Sequence, residues 1–486
     1  MKTATEPVAG GQPVAELQAI FKAYDIRGLV PSQLDAAAAH AIGAAFVDEV
    51  HRSARSSTWA VVIGHDMRDS SPELAEAFAD GARAAGAEAV MIGLASSDQL
   101  YFASGHLDLP GAMITASHNP AAYNGIKLCR AGAVALSAAT GLDTIRTQAQ
   151  LLLEIGATHD AARRPGGRVA RDVVDAYAEH LRRLAPVRGR RLKVAVDAGN
   201  GMAGHTVPHV LGPLDLELVP LYFELDGSFP NHEANPLDPA NLRDLQAAVL
   251  DAGCDLGLAF DGDADRCFVV DERGEPISPS ALTSLIAVRT LEAEPGATII
   301  HNLITSRAVP ELVRRHGGRP VRTKVGHSLI KATMAEQQAA FGGEHSGHFY
   351  FRDFWFADSG MLAALHLLGA LAETTGPVSQ LVADYQPYAA SGEVNVVVDD
   401  AADVIARLGT AYAGREGVVL DHLDGLTVSA DDWWFNVRPS NTEPMLRVNA
   451  EGTSASIMVE VRDAVLHTID AISPNVATNH TAKETP

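Results

Sequence analysis

Ala112-Met113-Ile114-Thr115-Ala116-Ser117-His118-Asn119-Pro120 is an apolar run that stops abruptly in a polar turn. The first three residues read as a short buried strand. Asn119-Pro120 marks the turn, because the residue before a proline is pushed out of the helical region. A hydroxyl at the end of a strand, on a constrained loop, is where a fold can present a nucleophile to a cleft. Taken alone, a Ser-His pair in a turn is an ordinary loop feature, so its meaning depends on what else the chain carries.

Three further clusters share its chemical theme. Asp261-Gly262-Asp263-Ala264-Asp265-Arg266 sets three carboxylates at alternate positions after the apolar run Leu256 to Phe260. Hard oxygen ligands this close repel one another unless a divalent cation neutralises them, and Mg²⁺ is the natural occupant. An EF-hand loop would also place Glu272 at its last ligand position. However, Arg266 stands where that loop needs glycine, and Phe268-Val269-Val270 is strand-like. A phosphatase using the first aspartate of an Asp-x-Asp pair is a second alternative, and it leaves Ser117 without a part. A solvated acidic turn is the plain one. Gly343-Glu344-His345-Ser346-Gly347-His348 is a glycine-rich stretch in which one carboxylate can accept from two neighbouring sugar hydroxyls. Arg438-Pro439-Ser440-Asn441-Thr442-Glu443-Pro444, with Arg447, supplies guanidinium, hydroxyl, amide and backbone N–H groups suited to a phosphate, or else a capped turn between two strands.

Together with Tyr24-Asp25-Ile26-Arg27-Gly28, these motifs resemble the α-D-phosphohexomutase superfamily, most closely its phosphomannomutase/phosphoglucomutase branch. The resemblance spans residues 21–472 with five motifs in the family's order. It implies that Ser117 carries a phosphoryl group, that the loop at Asp261, Asp263 and Asp265 binds Mg²⁺ together with Ser117, and that Arg266 approaches the substrate. It also implies that Glu344 and Ser346 hold sugar hydroxyls, with His348 and His118 beside the proton transfers. Arg438, Ser440, Asn441, Thr442 and Arg447 are implied to grip the phosphate that is not reacting. Arg27 and Lys127 are implied to flank the phosphoserine, and Tyr24 and His327 to line the cleft. Arg68, an isolated basic residue, belongs by itself to the class that is usually solvated. Lys127 could act as acid or base if a nearby Arg27 cation and partial burial lowered its pKa. Ser96-Ser97-Asp98 stands where relatives often carry threonine.

A length of 486 residues exceeds one compact core and suggests roughly three or four domains. With 47% hydrophobic and 20% charged residues the composition is that of a globular protein. A formal charge of −22 excludes the basic footprint of nucleic-acid binding and requires local cations for any anionic substrate. Cys129, Cys254 and Cys267 lie far apart, as reduced cytoplasmic thiols do. Residues 1–19 carry no apolar core of signal-peptide length, and no apolar run reaches membrane-spanning length.

Strands alternating with helices indicate mainly parallel α/β layers. Arg163 to Gly167 reads as a linker, the pattern restarts at Leu192 and again near Ser280, and the texture changes after Tyr388. The expected boundaries are an α/β domain with the phosphoserine loop (1–167), one ending in the metal loop (168–273), one with the sugar loop (274–387), a smaller α+β phosphate-binding lid (388–475) and a polar tail (476–486). The expected whole is a cytoplasmic phosphohexomutase with four domains around one cleft, monomeric or weakly self-associating, with no nucleic-acid or membrane partner. It would interconvert hexose 6- and 1-phosphates through a hexose 1,6-bisphosphate, which also serves as activator. A phosphoglucosamine mutase and a catalytically silent phosphosugar-binding protein are the alternatives. Tyr24 to Arg27 and His345 favour the mannose/glucose branch.

Overall fold

The computed structural model of the chain describes residues 17–53, 59–156, 164–440, 445–473 and 478–479. Contacts gather it into two compact units. One is Met1–Leu184 with Ala195–Leu245 and Ala259–Asp265; the other is Ala185–Val194 with Gln246–Leu258 and Arg266–Pro486.

In the first unit, strands β1 (Ile26–Leu29), β2 (Ala60–His65), β3 (Glu88–Leu94), β4 (Gly111–Ile114), β5 (Tyr123–Arg130), β6 (Val134–Ala135) and β7 (Arg168–Ala170) form one mixed sheet. Its order is β1-β5-β4-β2-β3-β7, with β6 beside β5. The β4-β2-β3-β7 half is parallel, whereas β5 runs antiparallel to both β4 and β1. Strand β4 is buried along its whole length, so its end is a rigid platform for the loop that follows. Helices α1 (Ala36–Ser53), α2 (Ser71–Ala84), α3 (Ser97–Leu107) and α4 (Leu142–Ile155) cover the sheet, and α5 (Val174–Leu184) follows. The Ser96 hydroxyl caps α3 by accepting from Gln99 N–H. The linker expected at Arg163 to Gly167 runs into β7, which extends the first sheet beside β3. A three-residue exposed edge strand leaves no apolar signature, so the sequence reading did not register it.

A second sheet, in the order β12-β11-β10-β8-β9, uses β8 (Leu192–Asp197), β9 (Leu216–Leu221), β10 (Leu256–Phe260), β11 (Cys267–Asp271) and β12 (Pro276–Ile277). Helices α6 (Ala203–Val210) and α7 (Arg243–Ala252) lie between these strands in sequence. In the second unit, β13 (Thr298–Asn302), β14 (Arg319–Thr323), β15 (Phe341–Gly343), β16 (Phe349–Phe351) and β17 (Ala357–Asp358) make a third sheet. It is parallel around β13 and antiparallel from β15 to β17. Helices α8 (Pro279–Ala293), α9 (Ala308–Arg315), α10 (His327–Gln337), α11 (Gly360–Ala372) and α12 (Val378–Val382) belong to this stretch.

The fourth sheet is antiparallel: β18 (Ala389–Val397), β19 (Val419–Asp421), β20 (Leu426–Ser429), β21 (Trp433–Pro439), β22 (Met445–Gly452) and β23 (Thr478–Asn479). It encloses its own core, with Val396, Leu408, Phe435, Val448 and Ile469 fully or almost fully buried. Helices α13 (Ala401–Tyr412) and α14 (Ala455–Ile472) are capped by Asp400 and Ser454. The segment expected as a polar tail thus supplies a short strand at Thr478–Asn479, because the open edge of β18 accepts any chain that can reach it. These are three α/β layers and a smaller α+β layer, the fold class expected from the sequence.

One contact in the first unit depends on two glycines. A Cβ at Gly43 of α1 would lie 2.2 Å from the carbonyl oxygen of Phe78, and one at Gly81 of α2 would lie 1.9 Å from that of His40. Both obstacles are helix backbone and cannot rotate aside. Gly43→Ala should therefore push α1 and α2 apart and cost about 1–3 kcal/mol, read as an earlier urea-unfolding transition. An unchanged midpoint would show that the helices can slide without loss.

Candidate active site

Ser117 is the point where β4 hands the chain to its loop. It is 4% exposed and holds φ +50°, the left-handed region that side-chain-bearing residues seldom occupy. Its own N–H donates to Thr115 Oγ1 at 2.9 Å, which closes the turn. The hydroxyl donates to Asp261 Oδ2 at 2.8 Å, and His118 Nδ1 lies 3.1 Å from it. Arg27, on β1, donates to Asn119 Oδ1 at 2.6 Å and pairs with Asp25 at 2.5 Å. Tyr24 is half-buried just ahead of β1.

The aspartate cluster follows β10. Asp261, Asp263 and Asp265 are at most 1% exposed, and one carboxylate oxygen from each falls within 4.8 Å of the others. Lys127, paired in register with Met113 of β4, brings its ammonium to 2.6 Å from both Asp263 and Asp265. Ser97 Oγ donates to Asp263 at 2.5 Å. Burial alone would raise the Asp263 carboxyl. The Lys127 ammonium and hydrogen bonds from Lys127, Ser97 and Ser117 instead hold it well below the ordinary carboxylate range. Among the described residues, Asp263 Oδ1 is buried with no hydrogen-bond partner. A second cation could satisfy that oxygen, so the donor set fits a hard divalent ion.

The sequence reading put the Arg27 cation beside Lys127; the partners shown for its ammonium are the Asp263 and Asp265 carboxylates and, at 3.2 Å, Ser97 Oγ. In this arrangement Lys127 is the charge that neutralises the cluster. The reason lies in register: β5 is antiparallel to β4 and so aims Lys127 at the end of β4, where the acids also arrive. Ser97 joins them from the first turn of α3, and only its neighbourhood, as a departure from the family pattern, had drawn notice.

In the second unit Arg266 is 2% exposed, and its backbone bridges to that of His348. Glu344 N–H donates to the His348 carbonyl at 2.9 Å, so the sugar-loop motif is a tight turn. Gly347 holds φ +87°, and a Cβ there would meet the Phe268 ring at 2.7 Å. Gly342 and Gly343 lie inside β15, where a Cβ on Gly343 would strike Thr283. The Glu344 carboxylate is 2% exposed, and it accepts from the Tyr350 hydroxyl and from Asn302 Nδ2 at 3.1 Å. Each of its oxygens keeps a second lone pair. Ser346 is half-buried, and His327 opens α10. His348 Nδ1 lies 2.8 Å from Asp358, which pairs at 2.5 Å with the buried Lys331. Because a carboxylate only accepts, Nδ1 carries the proton and Nε2 is the acceptor of the neutral ring.

Arg438 on β21 and Arg447 on β22 face each other in register, and both bind Glu393 of β18, at 2.8 and 3.1 Å. Ser440 N–H donates to Met445 across the hairpin, while Asn441 and Thr442 lie outside the described residues. Sequence reasoning missed Glu393, Asn302, Tyr350, Lys331 and Asp358. Asn302 is a polar residue closing an apolar strand, and Tyr350 and Asp358 lie only 6 and 10 residues from Glu344 and His348; Glu393 and Lys331 join through pairings distant in sequence.

Comparison with known proteins covers nearly the whole chain. Descriptions of the phosphoglucomutase/phosphomannomutase alpha/beta/alpha domains I, II and III match residues 18–151, 175–274 and 278–388, and that of the C-terminal domain matches 393–468. A Xanthomonas campestris protein described as phosphohexose mutases is 40% identical over 91% of this chain and 97% of its own length. A Salmonella montevideo phosphomannomutase is 38% identical over 91% of this chain and 96% of its own length. The crystal structure of a phosphoglucomutase/phosphomannomutase family protein from Burkholderia thailandensis superposes with a TM-score of 0.84. It is 35% identical and covers 95% of this chain and 99% of that one.

Lys127→Met would leave Asp263 and Asp265 buried without their ammonium, a loss worth about 3–5 kcal/mol. The variant should melt earlier than the wild type in EDTA and gain more than the wild type does from added divalent cation. Equal gains in a thermal-shift titration would show that Lys127 and a metal ion do not share this duty.

Proposed function

The chain belongs to the phosphoglucomutase/phosphomannomutase family and is a phosphohexomutase; on that premise we propose that it works through a phosphoserine at Ser117. The observation that carries the proposal is the Ser117 hydroxyl, held 2.8 Å from Asp261 at the mouth of the buried acid cluster. The substrates are hexose 6- and 1-phosphates of mannose, glucose or both. The phosphomannomutase relatives favour this reading over the glucosamine branch and over a silent binding protein.

The phosphoryl group on Ser117 passes to the free O1 or O6 of the sugar phosphate, giving a hexose 1,6-bisphosphate. The bisphosphate turns end for end and returns its other phosphoryl group to Ser117. Bisphosphate from outside loads an empty serine, which makes it the activator. The phosphoryl group is largely passed along rather than chemically remade, so positioning and charge do most of the work. Asp261, Asp263 and Asp265, with the Ser117 phosphate, would hold Mg²⁺, which supplies charge neutralisation at the transferring group. Arg27 and Arg266 add positive charge, while Lys127, His118 and His348 move protons to and from the sugar oxygens. With Nδ1 committed to Asp358, His348 offers Nε2 for that exchange. Glu344 and Ser346 fix the sugar hydroxyls, with Glu344 itself held by Asn302 and Tyr350. Arg438, Ser440, Asn441, Thr442 and Arg447 hold the phosphate that is not reacting, and Tyr24 and His327 complete the lining. We place the enzyme in the cytoplasm as a monomer or weak homo-oligomer. Among the described residues no helix is long and apolar enough to cross a membrane.

Purified protein should carry phosphate on Ser117, and Ser117→Ala should lose nearly all turnover of mannose 1-phosphate and glucose 1-phosphate. Peptide mass spectrometry with a coupled assay decides this. Phosphate found only elsewhere, or a fully active alanine variant, would remove the assignment.

Contacts to the non-reacting phosphate exist in both ground and transition states, so losing one chiefly weakens binding. Arg438→Ala should raise KM strongly and cost about 2–4 kcal/mol in kcat/KM. Ser117 should still be loaded by concentrated bisphosphate. An unchanged KM in steady-state kinetics would reduce the hairpin to a structural turn.

A further inference from the structure

Arg68 follows β2 and was classed from sequence with the solvated basic residues. Its side chain is 1% exposed and ranks among the largest fully buried groups of the chain. Nη2 donates to the carbonyls of Ser117 (2.9 Å) and Asn119 (2.6 Å), and Nη1 to those of Pro120 (3.0 Å) and Tyr123 (2.9 Å). Nε lies 3.3 Å from the Asp66 carboxylate, and the Phe229 ring stacks 5.1 Å from the guanidinium carbon. Asp66 is itself fixed by the Arg68 N–H at 3.1 Å and the Ser71 hydroxyl at 2.5 Å. The four Nη–H groups are thus all committed, in the fork geometry that only arginine provides, while Nε faces Asp66 as an ion pair without a hydrogen bond.

Three of those carbonyls belong to the loop of Ser117, and the fourth, that of Tyr123, opens β5 where the loop ends. Left to itself, a tight turn of this kind samples several arrangements, and a serine has little reason to rest at φ +50°. Gathering four carbonyls around one cation selects a single arrangement. Each peptide unit is planar, with its C=O and N–H opposed. Aiming the carbonyls of Ser117 and Pro120 at Arg68 therefore turns the N–H groups of His118 and Ala121 to the other side. The same constraint holds Ser117 Oγ on Asp261. Resting on the phosphoserine reading above, we propose that Arg68 is a positioning residue for phosphoryl transfer: a buried guanidinium that ties the carbonyls of the Ser117 loop and keeps the serine in its left-handed, acid-facing conformation. Arg68 touches no reacting atom. It acts through the loop.

The test compares wild type, Arg68→Lys and Arg68→Ala. The probes are mannose 1-phosphate as substrate and glucose 1,6-bisphosphate as phosphoryl donor, with mass spectrometry following the rate at which Ser117 is loaded. Lysine keeps the charge but offers a compact ammonium in place of the fork. Arg68→Lys should lower kcat and the loading rate by about thirtyfold or more while KM moves less than about threefold. Arg68→Ala should be slower still and partly rescued by added methylguanidinium, which a merely structural role would not allow. Loading and kcat of Arg68→Lys within about threefold of wild type would overturn the proposal, as would a loss seen only in KM. If both variants fail to fold, Asp66→Asn decides. It keeps the arginine but removes its counter-ion, and it should slow loading about three- to tenfold at unchanged KM; an unchanged loading rate overturns the proposal. Wild-type protein that never carries phosphate on Ser117 overturns the phosphoserine reading and this inference with it. Normal wild-type loading matched by Arg68→Lys overturns this inference alone.

Discussion

Three carboxylates buried within 4.8 Å of one another are the constraint on which the catalytic half of the molecule rests. Taking one such charge out of water costs several kcal/mol, and leaving it unpaired costs about 3–5 kcal/mol. That is a large share of a net stability of roughly 5–15 kcal/mol. Lys127 arriving from β5, Ser97 from the start of α3 and Ser117 from the end of β4 make the cluster tolerable. Each partner comes from a different part of the chain, so the site and the fold of the first unit are stabilised by the same contacts. A fold that did not bring these strands together would have nowhere to put Asp261, Asp263 and Asp265.

The same economy governs the cations. Arg68 is answered by Asp66 and four carbonyls, Arg27 by Asp25, Lys331 by Asp358, and Arg438 and Arg447 by Glu393. In a chain with a formal charge of −22, carboxylates are plentiful enough to hold each guanidinium in a fixed direction. The consequence for an anionic ligand is specific. The phosphate proposed to bind at Arg438 and Arg447 would meet two guanidiniums already aligned, and would share or displace Glu393 to use them. Alignment of this kind reduces the side-chain entropy lost on binding, while the competing carboxylate keeps the pair from binding indiscriminately.

Close packing sets the remaining geometry. The mutual approach of α1 and α2 at Gly43 and Gly81 holds the helical cover of the first sheet, and Gly347 lets the Phe268 ring sit against the sugar-loop turn. In each case a missing Cβ allows backbone or ring to come closer than a side chain would permit. The polar motifs are therefore supported by apolar contacts that their own residues do not reveal.

Local sequence determined the elements and the chemistry. The apolar runs place β4 and β10 where the structure has them, since buried strands need uninterrupted apolar residues. It was the resemblance of the five motifs to a known family that named Ser117, the three aspartates, Glu344, His348 and Arg438 as a set, since each cluster by itself also reads as a plain loop or turn. Pairing was decided by the tertiary structure alone. Nothing near Lys127 in sequence announces Asp263 and Asp265, which lie 136 and 138 residues away, and nothing near Arg68 announces the loop 49 to 55 residues on. The pairings Glu393 with Arg438 and Lys331 with Asp358 are equally silent. Periodicity reports which face of an element is buried, whereas an ion pair depends on strand register and loop path, and those are settled only when the sheets assemble.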